Sequence, residues 1–223
     1  MVAVTNVINR EGVLSVEDEL AALRAEVAEL RAIAREGQAI IALSNLQRSY
    51  GYYVDKGLWD EAADLFAPDG TLEIAGRGVY KGRERVRAYL HKLPAYRDGI
   101  LFNHMQLQPV IHVDLAAGTA RARWRTFIQL GILDAEARWG EAIYENAYIC
   151  ADGVWMIAKL HGMITYYADY DRGWNKGGVP LLRRLDGLEP DEPSSIDYEA
   201  FPKAFIPPFH YPNPVSGKPW TPE

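Results

Sequence analysis

The chain has 223 residues, enough for one domain with a sizeable core plus extensions, whereas two full domains would be a tight fit. Its 24 Lys and Arg are outnumbered by 30 Asp and Glu, and no basic run stands out, so nucleic acid is not an expected partner. No stretch of 18 apolar residues and no signal-peptide pattern is present, which predicts a soluble, cytoplasmic protein that does not bind membranes.

An amphipathic helix is predicted to begin after Ser15, because Ser15 and Asp18 have the spacing of a capping box. Apolar residues then recur at alternating steps of four and three, at Val16, Leu20, Leu23, Val27 and Leu30. Only about two heptads are present. We therefore expect this stripe to pack on the chain's own domain or on a neighbouring subunit rather than to form a free coiled coil. Gly37 is expected to break or bend the helix.

A second helix is predicted to follow and to end near Gly57. One of its sides carries Ile40, Leu43, Leu46, Tyr50 and Val54. Residues 60–66 are predicted to form a short helix and residues 67–70 a turn, because the latter read Ala-Pro-Asp-Gly. Short strands are predicted at residues 71–75 and around Val79 and Tyr80, and a helix at residues 82–92.

From Ile100 the apolar period changes from 3.6 to 2, which indicates β-strands. Long strands are predicted at residues 101–113, 119–131, 139–150 and 154–167. Short turns join them, so an antiparallel meander is expected. Helices followed by a long-stranded sheet predict an α+β fold in which the sheet curves around the helices.

Beyond Asp169 the composition changes to Pro, Gly, Asp and aromatic residues, which excludes a regular helix or strand. We expect an extended arm that lies over a partner surface. The predicted organisation is an N-terminal extension with an amphipathic helix at residues 1–37, a barrel domain at 38–168 and a C-terminal arm at 169–223.

Asp55 is the first candidate for chemistry. Helical spacing places it beside the Tyr50 and Val54 stripe, at the boundary between core and water. It could equally be a solvated acid near a helix C-terminus, where its charge opposes the helix dipole. His104 is the second candidate. In an ideal pleat it shares one face with Gln106, Gln108 and His112, and that face could also simply meet water.

Two further strands carry alternating polar residues. Arg121, Arg123 and Arg125 line one side of a strand, which suits either a solvated or intersubunit face or an anion clamp. Tyr144, Asn146 and Tyr148 share a face, and inside a barrel their hydroxyl and amide groups would orient a ligand.

Several signatures of chemistry are absent from the sequence. It has no Gly-rich phosphate loop, no HExxH, no GxSxG and no grouped metal ligands, and its one cysteine, Cys150, reads as structural. We therefore expect an enzyme that uses no cofactor and no metal and relies on side-chain acid and base groups.

Three stretches carry a family resemblance: "LQRSYGYYVDKGLWDEAADLFAPDGTLE", a strand that opens "NHMQLQPVIHVD", and "ENAYICADGVWMIAKLH". Together they resemble the SnoaL-like branch of the nuclear transport factor 2-like superfamily over roughly residues 39–167. The resemblance implies a cone-shaped α+β barrel in which a curved antiparallel sheet wraps helices around a deep cavity. The extra N-terminal helix and the aromatic tail "PPFHYPNPVSGKPW" are similar to a longer sub-group, the bacterial diarylpropane lyases.

Over "VDKGLWD" the chain looks like scytalone dehydratase. That match implies that Asp55 orients His104, which acts as general acid and base. The dehydratase has Tyr where this chain has Val54, and its second pocket histidine is missing here, so Tyr50, Tyr53 or an arginine is expected to supply the missing donor. The remaining predicted site residues are Arg125 as a catalytic group, and Trp59, Trp124, Tyr144, Asn146 and Lys176 as substrate-binding groups.

The resemblance implies a cofactor-independent lyase for a small hydrophobic aromatic substrate. Most specifically, it would convert a lignin-derived 1,2-diarylpropane-1,3-diol to a stilbene and formaldehyde. Two alternatives remain open: a dehydratase, isomerase or cyclase for a polyketide or steroid-like ligand, and a non-catalytic assembly protein like a dioxygenase β-subunit. A homo-oligomer, trimer or dimer, is expected.

Overall fold

The computed structural model describes residues 15–221, so the predicted lack of a signal peptide, which concerns residues before Ser15, lies outside it. The helices are α1 (Val16–Asp55), α2 (Trp59–Asp64) and α3 (Arg83–Leu90), with a short 3-10 helix at Trp174–Lys176. The strands are β1 (Phe66–Ile74), β2 (Val79–Lys81), β3 (Ile100–Asp114), β4 (Thr119–Ile132), β5 (Glu136–Ala151) and β6 (Val154–Asp169). None of the helices within residues 15–221 has the length and apolar character needed to cross a membrane.

Helix α1 is one continuous element. It begins with the predicted capping box, in which the Asp18 backbone N–H donates to Ser15 Oγ at 3.1 Å and the Ser15 backbone N–H donates to Asp18 Oδ2 at 3.2 Å. The predicted break at Gly37 is wrong. A glycine inside a helix costs only about 1 kcal/mol relative to alanine, and strong helix formers on both sides offset that cost.

The chain divides into two compact units, Met1–Ala39 and Ile40–Glu223. The second contains one six-stranded sheet in the order β2-β1-β6-β5-β4-β3. The predicted α+β class and the antiparallel meander from β3 to β6 are confirmed. The sheet is nevertheless mixed, because β1 runs parallel to β6. Residues 67–70, predicted as a turn, lie within β1 and coincide with an irregularity in its pairing with β6.

The core lies between the inner face of the sheet and the helices of the second unit. Strand β4 shows the alternation that creates it: Ala122, Trp124 and Thr126 are fully buried, whereas the intervening arginines lie on the outer face. Leu43, Tyr50 and Val54 of α1 join the same buried cluster. The later part of α1 therefore packs directly over the sheet.

A buried polar network ties α1 to three strands. The Gln47 amide donates to Gln106 Oε1 of β3 at 2.9 Å and accepts from Asn146 and Tyr148 of β5, each at 2.9 Å. Trp124 of β4 donates its indole N–H to Tyr148 at 3.0 Å. Because every member is satisfied inside a low-dielectric core, the network specifies one position of α1 over the sheet.

Gly51 allows α1 to approach β3 closely. A Cβ at this position would lie 2.7 Å from Gln106 Cγ and 3.1 Å from the His104 carbonyl oxygen. One helical turn further along, Asp55 Oδ1 accepts the His104 backbone N–H at 2.5 Å. Both residues thus act on the same short segment of β3. Gly51 lets the segment come close because it has no side chain, and the Asp55 carboxylate binds it through a hydrogen bond.

Strand β3 contains a bulge that reverses its alternation. Gln108 has a φ of 48°, and the register with β4 shifts between Leu107 and Val110. His104 pairs with the buried Ile128, whereas His112 pairs with Arg121 of the outer face. The predicted common face for His104 and His112 is therefore wrong.

The C-terminal arm packs on the sheet of its own chain; the predicted contact of the arm with a partner surface stays a prediction. The Arg123 guanidinium lies 3.8 Å from the Phe209 ring centroid and donates to the Pro208 carbonyl at 2.9 Å. His210 Nδ1 lies 2.7 Å from Glu145 Oε2. These contacts lie on the outer face of the sheet and explain why Arg123 and Glu145 need no ligand.

A second attachment of the arm is buried and titratable. The Glu73 carboxylate accepts from Ser194 Oγ at 2.8 Å and from the Ser195 backbone N–H at 2.7 Å, and lies 3.6 Å from His161 Nε2. Burial raises the pKa of Glu73, but the Ser195 hydroxyl, His161 and Ser194 outweigh it, so the net pKa is lowered. Burial is also the main reason why the pKa of His161 is lowered. The pair is an ionised carboxylate beside a neutral imidazole.

Substituting Gly51 tests the close approach of α1 to β3. We expect Gly51→Ala to lower the free energy of unfolding by about 1–3 kcal/mol, because the new methyl group meets a backbone carbonyl that cannot turn away. The matched control is Gly37→Ala, where no atom lies within 4 Å of the new Cβ. It should be neutral or stabilising by up to about 1 kcal/mol in urea unfolding. Equal effects of the two substitutions would contradict the close approach.

His161 should make stability depend on pH. The pKa of His161 in the folded chain lies below the ordinary value of 6.5. Between these two pKa values the histidine is protonated in the unfolded chain but not in the folded chain. The unfolding free energy should therefore fall as the pH drops below about 6.5, by at most about 1.4 kcal/mol per pH unit. Urea midpoints between pH 7.5 and 5 should show a flatter dependence for His161→Gln than for wild type. An unchanged slope in His161→Gln would contradict this role of His161.

Candidate active site

A cavity of about 410 Å³ opens on the inner face of the sheet within the second unit. Its volume falls in the range of roughly 300–1,000 Å³ that is typical of ligand pockets. The end of α1, the turn between β1 and β2, α3, the four long strands and arm residues 180–185 all contribute to its wall. Most of that wall is apolar and includes Val54, Ile74, Phe102, Ile128, Ile164 and Leu182. Such a wall suits a hydrophobic ligand.

His104 lines this cavity, and Asp55 stands beside it. His104 Nδ1 lies 3.6 Å from Asp55 Oδ1, and both side chains are largely buried. Within residues 15–221 this buried Nδ1 has no hydrogen-bond partner. The ring also packs on Phe102, with centroids 4.5 Å apart. Asp55 therefore orients the histidine in two ways, through its backbone N–H and by placing negative charge next to its ring.

Four tyrosines form a phenol wall around the cavity: Tyr50, Tyr89, Tyr144 and Tyr167. Burial is the main reason why the pKa values of Tyr50 and Tyr144 are raised well above the ordinary range. Burial also raises the pKa of Tyr167 to about 12. The phenols of Tyr50, Tyr144 and Tyr167 are therefore neutral at physiological pH, so they can donate hydrogen bonds to a bound ligand.

Arg77 is a cavity residue that the sequence reasoning missed. Its Nη1 donates to Tyr89 Oη at 2.6 Å and its Nε donates to the Leu182 carbonyl at 3.0 Å. Burial alone would lower the pKa of Arg77, but Tyr89 and Tyr167 outweigh that effect and the pKa is raised. Within residues 15–221 its partners are neutral groups, and no carboxylate pairs with it. A charged donor of this kind fits an anionic group on a ligand.

One sequence feature could have identified Arg77. It stands between Gly76 and Gly78, with φ values of 72° and 87°, in the turn that joins β1 to β2. Two glycines in the left-handed region allow a tight turn, and a lone arginine between them departs from ordinary turn chemistry. Three more charged residues, Lys92, Glu136 and Arg138, also border the cavity. The Arg138 and Glu136 side chains pair at 2.7 Å.

Three of the predicted site residues line the cavity: Tyr50, His104 and Tyr144. Asp55 does not line the cavity itself but lies next to His104, which does. Trp59 stands behind Phe102, with ring centroids 6.3 Å apart, and Tyr53 packs against the hydrophobic core. These two residues support the wall from outside rather than form it.

The other four predicted residues lie elsewhere. Trp124 and Asn146 belong to the buried network around Gln47. Arg125 is on the outer face, half-exposed and 3.8 Å from Glu141, so the expected catalytic arginine is not at this cavity. Lys176 is exposed in the 3-10 helix after β6. Strand alternation explains why Arg125 faces outward, because its neighbours Trp124 and Thr126 take the inner positions.

A smaller cleft of about 200 Å³ lies under the arm on the outer face, lined in part by Arg121, Lys159, His161, Ser195 and His210. Most of its polar groups already bind each other or the arm, as described for Glu73 and Glu145. Among residues 15–221, no three His, Cys, Asp or Glu side chains are grouped so as to hold a metal ion. The cavity on the inner face is the better candidate for a reaction.

Solved structures with the same fold include several enzymes. A proposed scytalone dehydratase from Novosphingobium aromaticivorans shares 17% identity at a TM-score of 0.56, over 69% of this chain and 97% of that one. Hexachlorocyclohexane dehydrochlorinase LinA-type3 from Novosphingobium barchaimii shares 20% identity at a TM-score of 0.53, over 63% and 93%. An NTF2-like protein with a cystatin-like fold, also from Novosphingobium aromaticivorans, shares 17% identity at a TM-score of 0.52, over 61% and 88%. At such identities the likeness establishes the fold alone.

No curated protein matches the chain at the sequence level. The family model for the SnoaL-like domain, in contrast, matches residues 35–161, which is more than half of the 223 residues. This match agrees with the order of helices and strands and with the cavity on the inner face of the sheet. The chain belongs to the SnoaL-like domain family.

Proposed function

We propose that the protein is a cofactor-independent lyase for a hydrophobic aromatic substrate. Its most specific form is the conversion of a lignin-derived 1,2-diarylpropane-1,3-diol to a stilbene, water and formaldehyde. The observation that carries the proposal is a histidine held by a carboxylate at the wall of a largely apolar cavity. An imidazole can act as a general acid and a general base without a cofactor.

The reaction needs no oxidant or reductant. His104 in its protonated form gives a proton to the benzylic hydroxyl, the C–O bond breaks, and water leaves. The para-phenolate of the substrate supplies the electrons and becomes a quinone methide. His104 then takes the proton of the terminal hydroxymethyl group, whose C–C bond breaks to release formaldehyde. Those electrons form the stilbene double bond and restore the phenolate, so His104 ends protonated, as it began.

Arg77 fits the charge that this route develops. A phenolate is present before and after the quinone methide, and a buried guanidinium stabilises such an oxyanion more strongly than an exposed one would. The phenols of Tyr89 and Tyr167 lie beside it as further donors or packing surfaces. We propose that Arg77 and Tyr89 bind the phenolate and that Asp55 and His104 transfer the protons.

The names of the structural neighbours support elimination chemistry in general terms. A dehydratase removes water and a dehydrochlorinase removes hydrogen chloride, and each requires a base and a leaving group. Fold does not decide the substrate, because one fold hosts many reactions. The lignin-derived diol is therefore the part of the proposal that most needs a direct test.

The assay follows stilbene absorbance and formaldehyde release from a para-hydroxylated 1,2-diarylpropane-1,3-diol. We expect turnover by wild type and a loss of at least about a hundredfold in kcat for His104→Gln, because general acid and base catalysis contributes roughly that much or more. Asp55→Asn should also lose activity, because it removes the charge beside the ring. The matched controls are His91→Gln and Asp171→Asn, both exposed and outside the cavity.

Absence of stilbene and formaldehyde with this substrate would refute the lignin-derived diol. Turnover of a hydroxylated polyketide or steroid that still depends on His104 would then support the dehydratase or cyclase alternative. Full activity of His104→Gln on any turned-over substrate would refute the acid and base role itself.

Binding tests the role of Arg77 separately from catalysis. We expect wild type to bind stilbene-4-carboxylate more tightly than the neutral 4-methylstilbene, and Arg77→Gln to lose roughly tenfold or more in affinity for the carboxylate only. Fluorescence titration measures both dissociation constants. Arg172→Gln, an exposed arginine outside the cavity, serves as the control. Equal loss for the charged and the neutral ligand would indicate a packing role instead.

A further inference from the structure

The first half of α1 carries an apolar stripe that is open to solvent within the described chain. Its members are Val16, Leu20, Leu23, Val27 and Leu30, and each exposes between 42% and 71% of its surface. Scattered exposed apolar residues are normal on a soluble protein, but five in one continuous row along a helix are not. The stripe therefore needs an occupant.

The repeat of the stripe identifies the kind of occupant. Steps of four and three residues alternate without interruption, which is the 3.5-residue period of a coiled coil. In heptad positions, Leu20 and Val27 are a residues, and Val16, Leu23 and Leu30 are d residues. Val27 at a, between Leu23 and Leu30 at d, has the β-branched-a and leucine-d pattern that favours two strands.

The charges that flank the stripe select both partner and orientation. Glu19 and Glu26 take g positions, and Arg24 and Arg31 take e positions. In a parallel pair each g residue faces the e residue five positions later on the other helix, so Glu19 meets Arg24 and Glu26 meets Arg31. In an antiparallel pair g faces g and e faces e, which sets like charges against each other. Within residues 15–221 none of these four side chains has an ion-pair partner.

The sequence favours packing of this short stripe on the chain's own domain or on a neighbouring subunit, and its exposure leaves the second of these. We propose that the stripe is a self-association surface, on which a second copy of the chain docks to form a parallel two-stranded coiled coil over residues 16–31 that joins two folded subunits. The occupant is a second copy because the g and e charges of the helix complement those of its own sequence. A membrane surface would not use that complementarity. The inference stands apart from the proposed enzymatic function, since no residue of the stripe lines the cavity.

Cysteine cross-linking tests the pairing and its register. A parallel coiled coil brings each d residue next to its own counterpart, so Leu23→Cys should form a covalent dimer under mild oxidation. Ala25→Cys, at the outward f position two residues away, is the matched control and should not. Both are made in a Cys150→Ser background to remove the one native thiol. Non-reducing gel electrophoresis reads the outcome, and equal cross-linking at both sites, or none at Leu23→Cys, would overturn the proposal.

Charge reversal tests the partner. Sedimentation velocity should show a concentration-dependent dimer for wild type, and Glu19→Arg with Glu26→Arg should shift it to monomer at the same concentration. Mixing that variant with Arg24→Glu plus Arg31→Glu should restore the dimer, because the two helices are then complementary. Circular dichroism checks that the helix content is unchanged in each variant. A monomeric wild type, or a dimer that is indifferent to the charge reversal, would disprove the proposed surface.

Discussion

The close approach of α1 to β3 is the constraint on which the candidate site depends. At Gly51 the helix carries no side chain, so the backbone of β3 can lie against it. One turn later Asp55 accepts a hydrogen bond from the His104 backbone N–H. This bond fixes the position of β3 relative to α1 and thereby the position from which the histidine side chain extends. A carboxylate at the end of a helix is unfavourable against the helix dipole. Here that cost is offset by a hydrogen bond to β3, so the position of Asp55 is a property of the fold as much as of the chemistry.

The cavity contains two charged groups of different kinds. Asp55 and His104 hold a negative charge beside a group that can carry a proton, whereas Arg77 is a permanent cation whose neighbours are neutral phenols and a carbonyl. Because desolvation makes an unpaired buried charge costly, a guanidinium in such surroundings stabilises the fold less than it would with a carboxylate partner. An anionic ligand that binds there would pair with the guanidinium and offset this desolvation penalty. The arrangement therefore suits a ligand that is apolar over most of its surface and negatively charged at one point.

Periodicity predicted much of the fold, because long strands and amphipathic helices are patterned by burial. The four long strands lie within a few residues of their predicted bounds, and the capping box begins α1 where expected. The failures have local physical causes. Gly37 does not interrupt α1 because one glycine is a small cost in a helix of 40 residues. The bulge at Gln108 reverses the face of His112. Pro109, beside it, is the sequence signal for that bulge, because proline within a sheet is confined to edge strands and bulges. Arg77 was missed because a turn residue acquires a functional environment only when distant segments such as Tyr89 and Leu182 close around it.

The outer face of the sheet shows how the same charges can mislead. Alternating arginines on β4 look like an anion clamp in sequence, yet Arg123 is matched by Glu145 at 2.6 Å and by carbonyls of the arm. Pairing across strands and with a proline-rich segment satisfies these donors, and burial under the arm keeps them in place. A charged residue is thus informative about function in proportion to how poorly its own chain satisfies it. By that criterion Arg77 and the flanking charges of the α1 stripe, which have no carboxylate or guanidinium partner among residues 15–221, stand out, whereas Arg123, paired with Glu145, does not.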